Sequence, residues 1–252
     1  MRNKKYQDLN AAKSDKKGFA ALIENTFRKF RDLPFVFIIL FLIFLFVISV
    51  GLSLFPGFWI FDWITRQTEN MSTVFQIFWK AQAFAFGYVL YCLSIIFIVP
   101  LVNFLIPFKI KAYHGPWIAL ETIPWYIHNA LTYFVRYTAL KLITPTPLTT
   151  LFYKMMGMKV GKGVLINTTN ISDPCLIELG DNVVIGGSAS LMAHYGIKGR
   201  LVIDRVVIGK NTNIGLNANL LGGIKVGKNV TIAPNTTVLP NTEIEDNTKF
   251  GI

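Results

Sequence analysis

His194 is the residue of this chain whose type and setting best suit chemistry. It is the only histidine beyond residue 160, and it lies in a segment, 192–207, that interrupts an otherwise regular spacing of aliphatic residues. A hydroxyl is a poor nucleophile until a base takes its proton, and imidazole is the side chain whose ordinary pKa, near neutrality, suits that task. A lone surface histidine is usually inert, so the case for His194 as a catalytic base depends on the elements that position it.

The sequence around His194 repeats every six residues. Aliphatic or aromatic residues recur at this spacing at Ile208, Ile214, Leu220, Val226, Ile232, Val238, Ile244 and Phe250. Small residues follow most of them, at Gly209, Gly215, Gly227, Ala233 and Gly251. Earlier instances of the same pattern are Val160-Gly161, Leu179-Gly180 and Ile185-Gly186.

A period of six residues fits neither the alternation of a strand nor the 3.6-residue turn of a helix. It describes a chain that turns a corner every six residues, with three edges in each coil of about 18 residues and the aliphatic side chains inside. The sequence therefore predicts a parallel β-helix over residues 160–252, in which at least three stacked coils share a core. After Leu191 the next aliphatic residue in phase is Ile208. The segment between them is predicted to leave the wall as a loop, and such loops tend to carry function.

Residues 160–252 resemble the hexapeptide-repeat acyltransferases, the family of maltose, galactoside and serine acetyltransferases. The family's catalytic histidine lies between two motifs that are present here as Gly180-Asp181-Asn182-Val183-Val184-Ile185-Gly186 and Val207-Ile208-Gly209-Lys210-Asn211. The resemblance implies a left-handed parallel β-helix and acyl transfer from acyl-CoA, with acetyl-CoA the expected donor and His194 the base. It also implies a homotrimer with active sites between neighbouring prisms.

A second resemblance extends further towards the N-terminus. Residues 125–252 are similar to the membrane-bound C-terminal region of poly-amino-acid synthetases of the ε-poly-lysine type, through Trp125, Thr146-Pro147-Leu148 and Met156-Gly157. Either resemblance covers about half of the chain. The β-helix ends at residue 252 in mid-repeat without a capping helix, so an open end is expected.

The first resemblance suggests which residues bind the acceptor. Asn170 and Asp173 lie where the sugar acetyltransferases place acceptor-contacting residues. A carboxylate or amide one coil below His194 could hold the acceptor or orient the histidine. The alternative for both residues is a turn-capping role, because Asn and Asp side chains often bond to nearby backbone, and Pro174 follows Asp173 directly.

The donor site implied by the resemblance lies in the ungapped run of repeats after His194. Small residues there would let the pantetheine arm of CoA lie against the backbone, and a lysine would meet its phosphates; the candidates are Ala218, Gly222, Gly223, Lys225 and Ala233. The alternative is that the small residues only serve corners and that the lysine belongs to a solvated face. This run departs from many relatives at Asn213, where Trp is common, and at Gly222, where Pro is common.

Two apolar stretches predict a membrane anchor. Of the residues 52% are hydrophobic, and the mean hydropathy of +0.46 is high for a soluble protein. The stretches 33–61 and 81–108 contain no charged residue, and each exceeds the roughly 20 residues that cross a bilayer as a helix. The first is too long and too far from the N-terminus for a cleaved signal peptide, so it is expected to be retained.

The distribution of charge predicts which side of the membrane each part occupies. The net charge is +11, and residues 1–159 hold 17 Lys and Arg against 7 Asp and Glu, whereas residues 160–252 hold 8 against 7. Nine of the basic residues precede the first span, which places the N-terminus, and after two spans the β-helix, in the cytoplasm, most simply at a bacterial inner membrane. A basic segment next to a membrane is explained by orientation and by anionic lipid, so nucleic-acid binding is not predicted.

Between the second span and the β-helix lies a segment rich in Trp, Tyr and Pro, residues 109–159. Its longest uncharged run, 122–135, has only 14 residues, which favours an interfacial helix, although a third span over 117–143 remains an alternative. His114 and His128 lie in this segment and are expected to pack or to make interfacial hydrogen bonds. The predicted organisation is thus a basic N-terminus (1–32), two transmembrane helices with a short external loop (33–108), an interfacial aromatic linker (109–159) and the β-helix (160–252).

Two functions from different classes remain compatible with this organisation. The first is a membrane-bound acyltransferase acting on a hydroxyl or amine of a membrane-associated glycan, lipid or peptide. The second is a non-catalytic trimeric module that docks partners at the membrane, for which a base such as His194 is not needed. A zinc-dependent carbonic anhydrase of the same fold needs three histidines, and the repeats hold one. No metal is predicted, and neither Cys92 nor Cys175 is assigned a role.

Overall fold

A computed structural model describes residues 14, 16–30 and 33–251 of the chain. A helical region comes first and a β-helix follows it. The helices are α1 (Gly18–Lys29), α2 (Leu33–Gln67), α3 (Thr73–Leu105), α4 (Ile123–Val135), α5 (Lys141–Ile143) and α6 (Pro147–Met155). A π-helical turn, Arg136–Leu140, joins α4 to α5, and short 3-10 turns span Leu120–Thr122 and Pro174–Leu176.

Helices α2 and α3 form a hairpin whose outer surface is apolar. They pack closely where Gly57 meets Gly87, since a Cβ atom on Gly57 would lie 2.8 Å from the Cα atom of Gly87. Phe58 and Phe84 are among the many large apolar side chains that the hairpin leaves exposed. Among the described residues, these two helices are the ones long and apolar enough to cross a membrane.

The connection between α2 and α3 is shorter than the predicted external loop of residues 62–80. Both helices continue past the apolar stretches, and only residues 68–72 lie between them. The extensions contain no proline or glycine to end a helix, and a helix is not obliged to stop where its residues become polar.

The segment between α3 and the β-helix is mostly helical, and it is packed on both sides. The rings of Phe46 in α2 and Phe134 in α4 stack with centroids 4.6 Å apart. Leu131, Val135 and Leu140 are fully buried. Helix α4 therefore lies between the α2–α3 hairpin and the first coil of the β-helix.

Seventeen strands are present in the described residues, and most have two or three residues because the chain turns a corner after each. In chain order they are β1 (Tyr113–Pro116), β2 (Lys159–Val160), β3 (Leu165–Ile166), β4 (Ile171–Ser172), β5 (Ile177–Leu179), β6 (Val184–Ile185), β7 (Ser190–Met192), β8 (His194–Ile197), β9 (Arg200–Ile203), β10 (Val206–Ile208), β11 (Asn213–Ile214), β12 (Asn219–Leu220), β13 (Lys225–Val226), β14 (Thr231–Ile232), β15 (Thr237–Val238), β16 (Glu243–Ile244) and β17 (Lys249–Phe250).

Three parallel sheets form the walls of the β-helix. Their strand orders are β2-β5-β10-β13-β16, β3-β6-β11-β14-β17 and β4-β7-β12-β15. Residues of successive coils lie in register, as where Ile214 pairs with Ile232 and Ile232 with Phe250. The aliphatic residue of each hexad points inward, so that Ile185, Leu220 and Val238 are fully buried. The predicted left-handed parallel β-helix is confirmed.

Asparagines line the corners of the prism. Asn182, Asn211, Asn229 and Asn247 all have φ between 54° and 61°, in the left-handed region that asparagine tolerates better than most residues. Each of the first three donates from its side-chain Nδ2 to Oδ1 of the next, with N···O distances of 3.0, 3.1 and 3.0 Å. This ladder satisfies the corner side chains from one coil to the next.

The interruption of the repeat is a β-hairpin rather than an irregular loop. Strands β8 and β9 pair antiparallel, and Lys198 and Gly199 form the turn between them with φ of 47° and 70°. Strand β1, from the segment before α4, adds to the other edge of β9. The insertion thereby ties the helical region to the β-helix next to His194.

Candidate functional site

His194 opens strand β8, and its ring is held by Asp173. The Nδ1 atom of His194 lies 2.5 Å from Oδ2 of Asp173, whose side chain is fully buried, while 17% of the His194 side chain is exposed. A carboxylate oxygen only accepts, so Nδ1 carries the proton and Nε2 is left with a free lone pair. This tautomer is the one that a general base requires.

Asp173 lies just after strand β4, in a conformation that points its carboxylate at the histidine. Its φ of 57° is in the left-handed region, and its side chain makes no cap bond to the short turn that follows. The second carboxylate oxygen, Oδ1, accepts a hydrogen bond from Nδ2 of Asn129 at 2.6 Å. Both oxygens are thus engaged inside the protein. Of the roles considered for Asp173, the geometry supports the orientation of His194, because a fully buried carboxylate has no surface for an acceptor.

Aromatic rings from the helical region line the site. Trp125 of α4 contacts the His194 ring in a T-shaped arrangement, with centroids 4.9 Å apart. The ring centroids of Trp117 and Trp125 are 5.9 Å apart. Trp117 also covers Gly196, where an added Cβ atom would lie 2.8 Å from the indole ring of Trp117. These contacts restrict the imidazole on the side that faces the helices.

A polar seam joins α4 and the turn after it to residues 170–173. We use this name for three side-chain pairs: Asn129 with Asp173, Tyr133 with Ser172, and Arg136 with Asn170. The helical residues are spaced i, i+4 and i+7, which places them on one face. Arg136 opens the π-helical turn, a distortion that is frequent at functional sites.

Asn170 lies in this seam with its side-chain amide occupied. Its Oδ1 accepts from Arg136, whose guanidinium also lies over the rings of Tyr133 and Tyr137, at 5.6 and 5.3 Å. Its Nδ2 donates to the backbone oxygen of Ser188 at 3.1 Å. Contact between Asn170 and an acceptor stays a prediction. The acceptor would have to replace Arg136 or Ser188 as a hydrogen-bond partner of the Asn170 side chain.

Two of the predicted donor-site residues lie near His194. A Cβ atom on Gly222 would lie 3.2 Å from the backbone nitrogen of His194, so the prism carries no side chain at the point where it meets the backbone of His194. Gly223 has φ of 83°, and a Cβ atom on it would lie 2.1 Å from Oδ1 of Asn241. Glycine is required at 223 for its backbone alone, which supports the corner role weighed for it.

The other predicted donor-site residues are placed differently. Ala218 is fully buried and Ala233 nearly so, so neither side chain presents a surface to a ligand in the single chain. Lys225 is exposed, but its Nζ lies 2.5 Å from Oε1 of Glu243, which raises the pKa of the lysine. An ion pair this exposed is easily exchanged for a phosphate, so the proposed role of Lys225 stays a prediction.

The remaining histidines lie in the helical region. His114 of β1 is exposed, with Nε2 3.7 Å from Oδ2 of Asp204. His128 of α4 is buried; its Nδ1 lies 3.0 Å from Oδ1 of Asn103, near the end of α3, and its Nε2 has no partner. Burial lowers the pKa of His128 to about 4. Among the described residues, no cluster of three or more His, Cys, Asp or Glu side chains could hold a metal.

Asn129 and Trp125 are the functional-site residues that sequence reasoning did not identify. The signal for Asn129 was the helical spacing of polar residues at 129, 133 and 136 within an apolar segment, and Trp125 was noted only as part of the second resemblance. That spacing marks one polar face but does not name the surface that it meets.

Comparison with known proteins identifies the repeats. Residues 205–240 match the family model described as bacterial transferase hexapeptide (six repeats). The chain is 34% identical over 80 residues to YvoF, a proposed acetyltransferase of Bacillus subtilis (strain 168), which covers 31% of this chain and 46% of YvoF.

Two solved structures are similar at lower identity. A serine acetyltransferase of Neisseria gonorrhoeae, in complex with serine, is 21% identical with a TM-score of 0.30, over 49% of this chain and 52% of that one. A maltose O-acetyltransferase of Clostridium difficile 630 is 20% identical with a TM-score of 0.36, over 54% and 88%. The chain spans about half the length of YvoF and of the Neisseria enzyme.

The matched residues form a continuous part of the prism. Strands β10 to β17 repeat without a gap, and parallel pairing extends the same walls back to β2. The C-terminal half of this chain is therefore a left-handed β-helix, within which residues 205–240 match the bacterial transferase hexapeptide model.

Proposed function

We propose that this chain is a membrane-bound acyltransferase that moves an acyl group, with acetyl the expected one, from CoA to a hydroxyl or amine. The observation that carries the proposal is the 2.5 Å contact between His194 Nδ1 and the buried Asp173 carboxylate. This contact fixes the tautomer in which Nε2 can take a proton. A docking module would have no need for such a pair.

The reaction follows from this arrangement. Nε2 of His194 takes the proton of the acceptor as the acceptor oxygen or nitrogen forms a bond with the thioester carbon. The carbon–sulfur bond then breaks, and the leaving thiolate takes the proton back from the imidazolium, giving the acylated acceptor and free CoA. Asp173 stabilises the positive charge that His194 carries between the two steps.

The donor is proposed to lie along the wall that contains Gly222. Close to His194 this wall presents backbone rather than a side chain, which suits the approach of a narrow pantetheine arm. Lys225, on a neighbouring wall, is the candidate contact for CoA phosphates. Gly223, Ala218 and Ala233 would contribute by leaving the wall smooth.

The acceptor is proposed to be membrane-associated, such as a lipid, a lipid-linked glycan or a peptide. Support comes from a short chain of contacts: Asn103, near the end of α3, meets His128, and the next residue, Asn129, meets Asp173. The reacting imidazole is therefore separated from the end of an apolar helix by few side chains. We therefore propose that the acceptor group of a lipid or lipid-linked molecule approaches His194 from this end of α3.

The proposed topology puts the N-terminus and the β-helix in the cytoplasm, where acyl-CoA is available. The nine basic residues before the first span support it. Several of them fall outside the described residues, so the support is from sequence. Labelling of a cysteine introduced at Glu69 by an impermeant reagent added outside is expected, and labelling of the prism under those conditions contradicts the topology.

A homotrimer is the proposed assembly, because the resemblance to the family places each active site between neighbouring prisms. One chain supplies the pair of His194 and Asp173, and we propose that a neighbouring prism completes the site around it. Mass photometry in detergent tests the proposal, and a strictly monomeric active particle contradicts it.

Replacement of His194 by Ala tests the function directly. Turnover is expected to fall by a factor on the order of 10²–10⁴, the usual contribution of a general base. The assay is release of CoA thiol from acetyl-CoA by the full chain in nanodiscs, supplied with an extract of the native membrane as the source of acceptor. His114→Ala is the matched control, because His114 is exposed and has no contact with Asp173.

Two results contradict the proposal. One is full turnover in His194→Ala, since another residue would then be the base. The other is the absence of both acyl-CoA binding and thiol release in the unaltered chain, which would favour the docking module.

A further inference from the structure

The Asp173 carboxylate is held by a closed pair of hydrogen bonds from α4. Asn129 donates from Nδ2 to Oδ1 of Asp173 at 2.6 Å, and its own Oδ1 accepts from the backbone N–H of Asp173 at 3.2 Å. One amide thus fixes both the plane of the carboxylate and the left-handed backbone that carries it. The other carboxylate oxygen is left to His194.

Asn129 is in turn held by the helix. It is buried, and its Nδ2 also donates to the backbone oxygen of Trp125 at 3.1 Å, one turn earlier. Trp125 is the residue whose ring contacts His194. A single face of α4 therefore contacts both the imidazole and the carboxylate, although α4 lies outside the hexapeptide repeats.

We infer that Asn129 is a positioning residue that keeps the proton on Nδ1 of His194 by holding the Asp173 carboxylate in place. The inference rests on the proposed function, in which His194 is the base. It places part of the catalytic arrangement on the helical region that packs against α2 and α3.

The physical reason is the cost of a free carboxylate oxygen in a buried place. Without Asn129, Oδ1 of Asp173 has no donor, and a buried acceptor without a partner is unfavourable. The carboxylate is then free to rotate or to attract water. Either change weakens the bond to His194 Nδ1 and lets the proton move to Nε2, where it blocks the base.

Few other groups titrate around this pair. Asp173 interacts electrostatically with His128 and Cys175, and Lys109 acts on both of those. Burial lowers the pKa of His128 to about 4 and raises that of Cys175 to about 12. Because both pKa values lie well outside a range of roughly pH 6 to 9, neither group is expected to change its charge there.

The experiment compares three variants of the full chain in nanodiscs. Asn129→Ala removes the donor. Asn129→Asp restores it only while the new carboxyl group is protonated, because a deprotonated one would face Asp173 as a like charge. Tyr133→Phe is the matched control, since it removes the 2.8 Å bond to Ser172 Oγ between the same helix and the same strand without touching the carboxylate.

The first readout needs no substrate. The chain has three histidines, so nitrogen-15 labelling of histidine gives a spectrum that His194→Ala assigns. We expect the neutral His194 ring to carry its proton on Nδ1 in the unaltered chain and in Tyr133→Phe. In Asn129→Ala, a second form with the proton on Nε2 is expected.

The second readout is thiol release from acetyl-CoA with native-membrane extract. Asn129→Ala is expected to lower kcat by about tenfold or more, in line with the loss of a hydrogen bond to a charged group, with KM for acetyl-CoA unchanged. The kcat of Asn129→Asp relative to Asn129→Ala is expected to fall as pH rises. Tyr133→Phe is expected to keep its turnover.

The outcomes separate the inference from the proposed function. If the unaltered chain is active and His194→Ala is not, but Asn129→Ala matches Tyr133→Phe in tautomer and kcat, the inference is wrong and the function stands. If neither the unaltered chain nor any variant releases thiol, the proposed acyltransferase function is wrong. The tautomer spectra still decide whether Asn129 orients Asp173 and His194.

Discussion

Asp173 follows a strand of the prism wall and His194 opens the hairpin inserted into that wall, whereas Asn129 and Trp125 belong to a helix outside the repeats. In the β-helix each aliphatic residue has a counterpart in the coils above and below, as Ile214 has in Ile232. The contacts that α4 makes with Asp173 and His194 have no such counterparts among the described residues. The comparison suggests a division of labour in which the repeats supply a rigid wall and the unique helix supplies the particular side chains that orient the proposed catalytic pair, Asp173 and His194.

The largest effect that tests this comparison is expected at Asp173. In Asp173→Asn the new amide can turn its NH₂ group towards His194, which would then accept at Nδ1 and carry its proton on Nε2. We expect turnover to fall by a factor on the order of 10²–10⁴, because the wrong tautomer is no base. Thiol release measures the loss.

The control for Asp173→Asn is a check that the variant still folds. The replacement keeps the shape of the side chain and an acceptor for Asn129, so the β-sheet signal in circular dichroism is expected to remain. Turnover close to that of the unaltered chain would show that the carboxylate does not act on His194, and the division of labour between wall and helix would be wrong.

An intermediate effect is expected when one buried residue is replaced in the β-helix and one in α4, with both stability and turnover measured. Ile232 in β14 and Leu131 in α4 are both buried, so replacement of either by Ala is expected to cost about 2–5 kcal/mol, or roughly 5–15 °C in thermal midpoint. Well below both midpoints, Ile232→Ala is expected to keep its turnover, whereas Leu131→Ala is expected to lose part of it by shifting α4.

Differential scanning fluorimetry and initial rates in the same nanodiscs make this comparison. Equal losses of stability with equal turnover would show that α4 is only scaffold. A larger loss of turnover in Ile232→Ala than in Leu131→Ala would reverse the roles assigned to the two regions.

The same contrast explains which parts of the structure could be predicted from the sequence. The spacing of Ile208, Ile214 and Leu220 predicts the three walls because each residue encodes one edge of a coil, and the family match confirms the repeats. The corner asparagines Asn211, Asn229 and Asn247 recur once in each coil, and this spacing also indicates the repeat. The prediction did not use it, because the aliphatic pattern was sufficient. The apolar stretches predicted α2 and α3 but not their continuation through residues 62–67 and 73–80.

The rest depends on partners that are distant in sequence. Nothing in Tyr113–Pro116 shows that it pairs with β9, because a four-residue strand has no pattern that names its neighbour. The seam residues likewise predict a polar face on α4, but not that the face meets Asp173. The histidine could therefore be proposed from its context in the repeat, while the contacts that join it through Asp173 to Asn129 required the structure.

The smallest effect is expected at a corner of the prism. Asn229 has φ of 54° and links Asn211 to Asn247 through two exposed side-chain hydrogen bonds. Asn229→Gly loses the ladder bonds but adopts the backbone freely, so its cost in stability is expected to stay within about 0.5 kcal/mol. Asn229→Ala loses the bonds and must also enter the left-handed region, which costs about 1–2 kcal/mol.

The pair of variants thus separates backbone strain from side-chain bonding, and neither is expected to alter turnover, since the corner has no contact with the catalytic pair. Thermal midpoints measure the difference. If Asn229→Gly costs as much as Asn229→Ala, the ladder itself stabilises the prism, and the coils depend on particular side chains as α4 does. If both are small and turnover is unchanged, stability in the repeats is shared among many equivalent corners, whereas in α4 single side chains decide function.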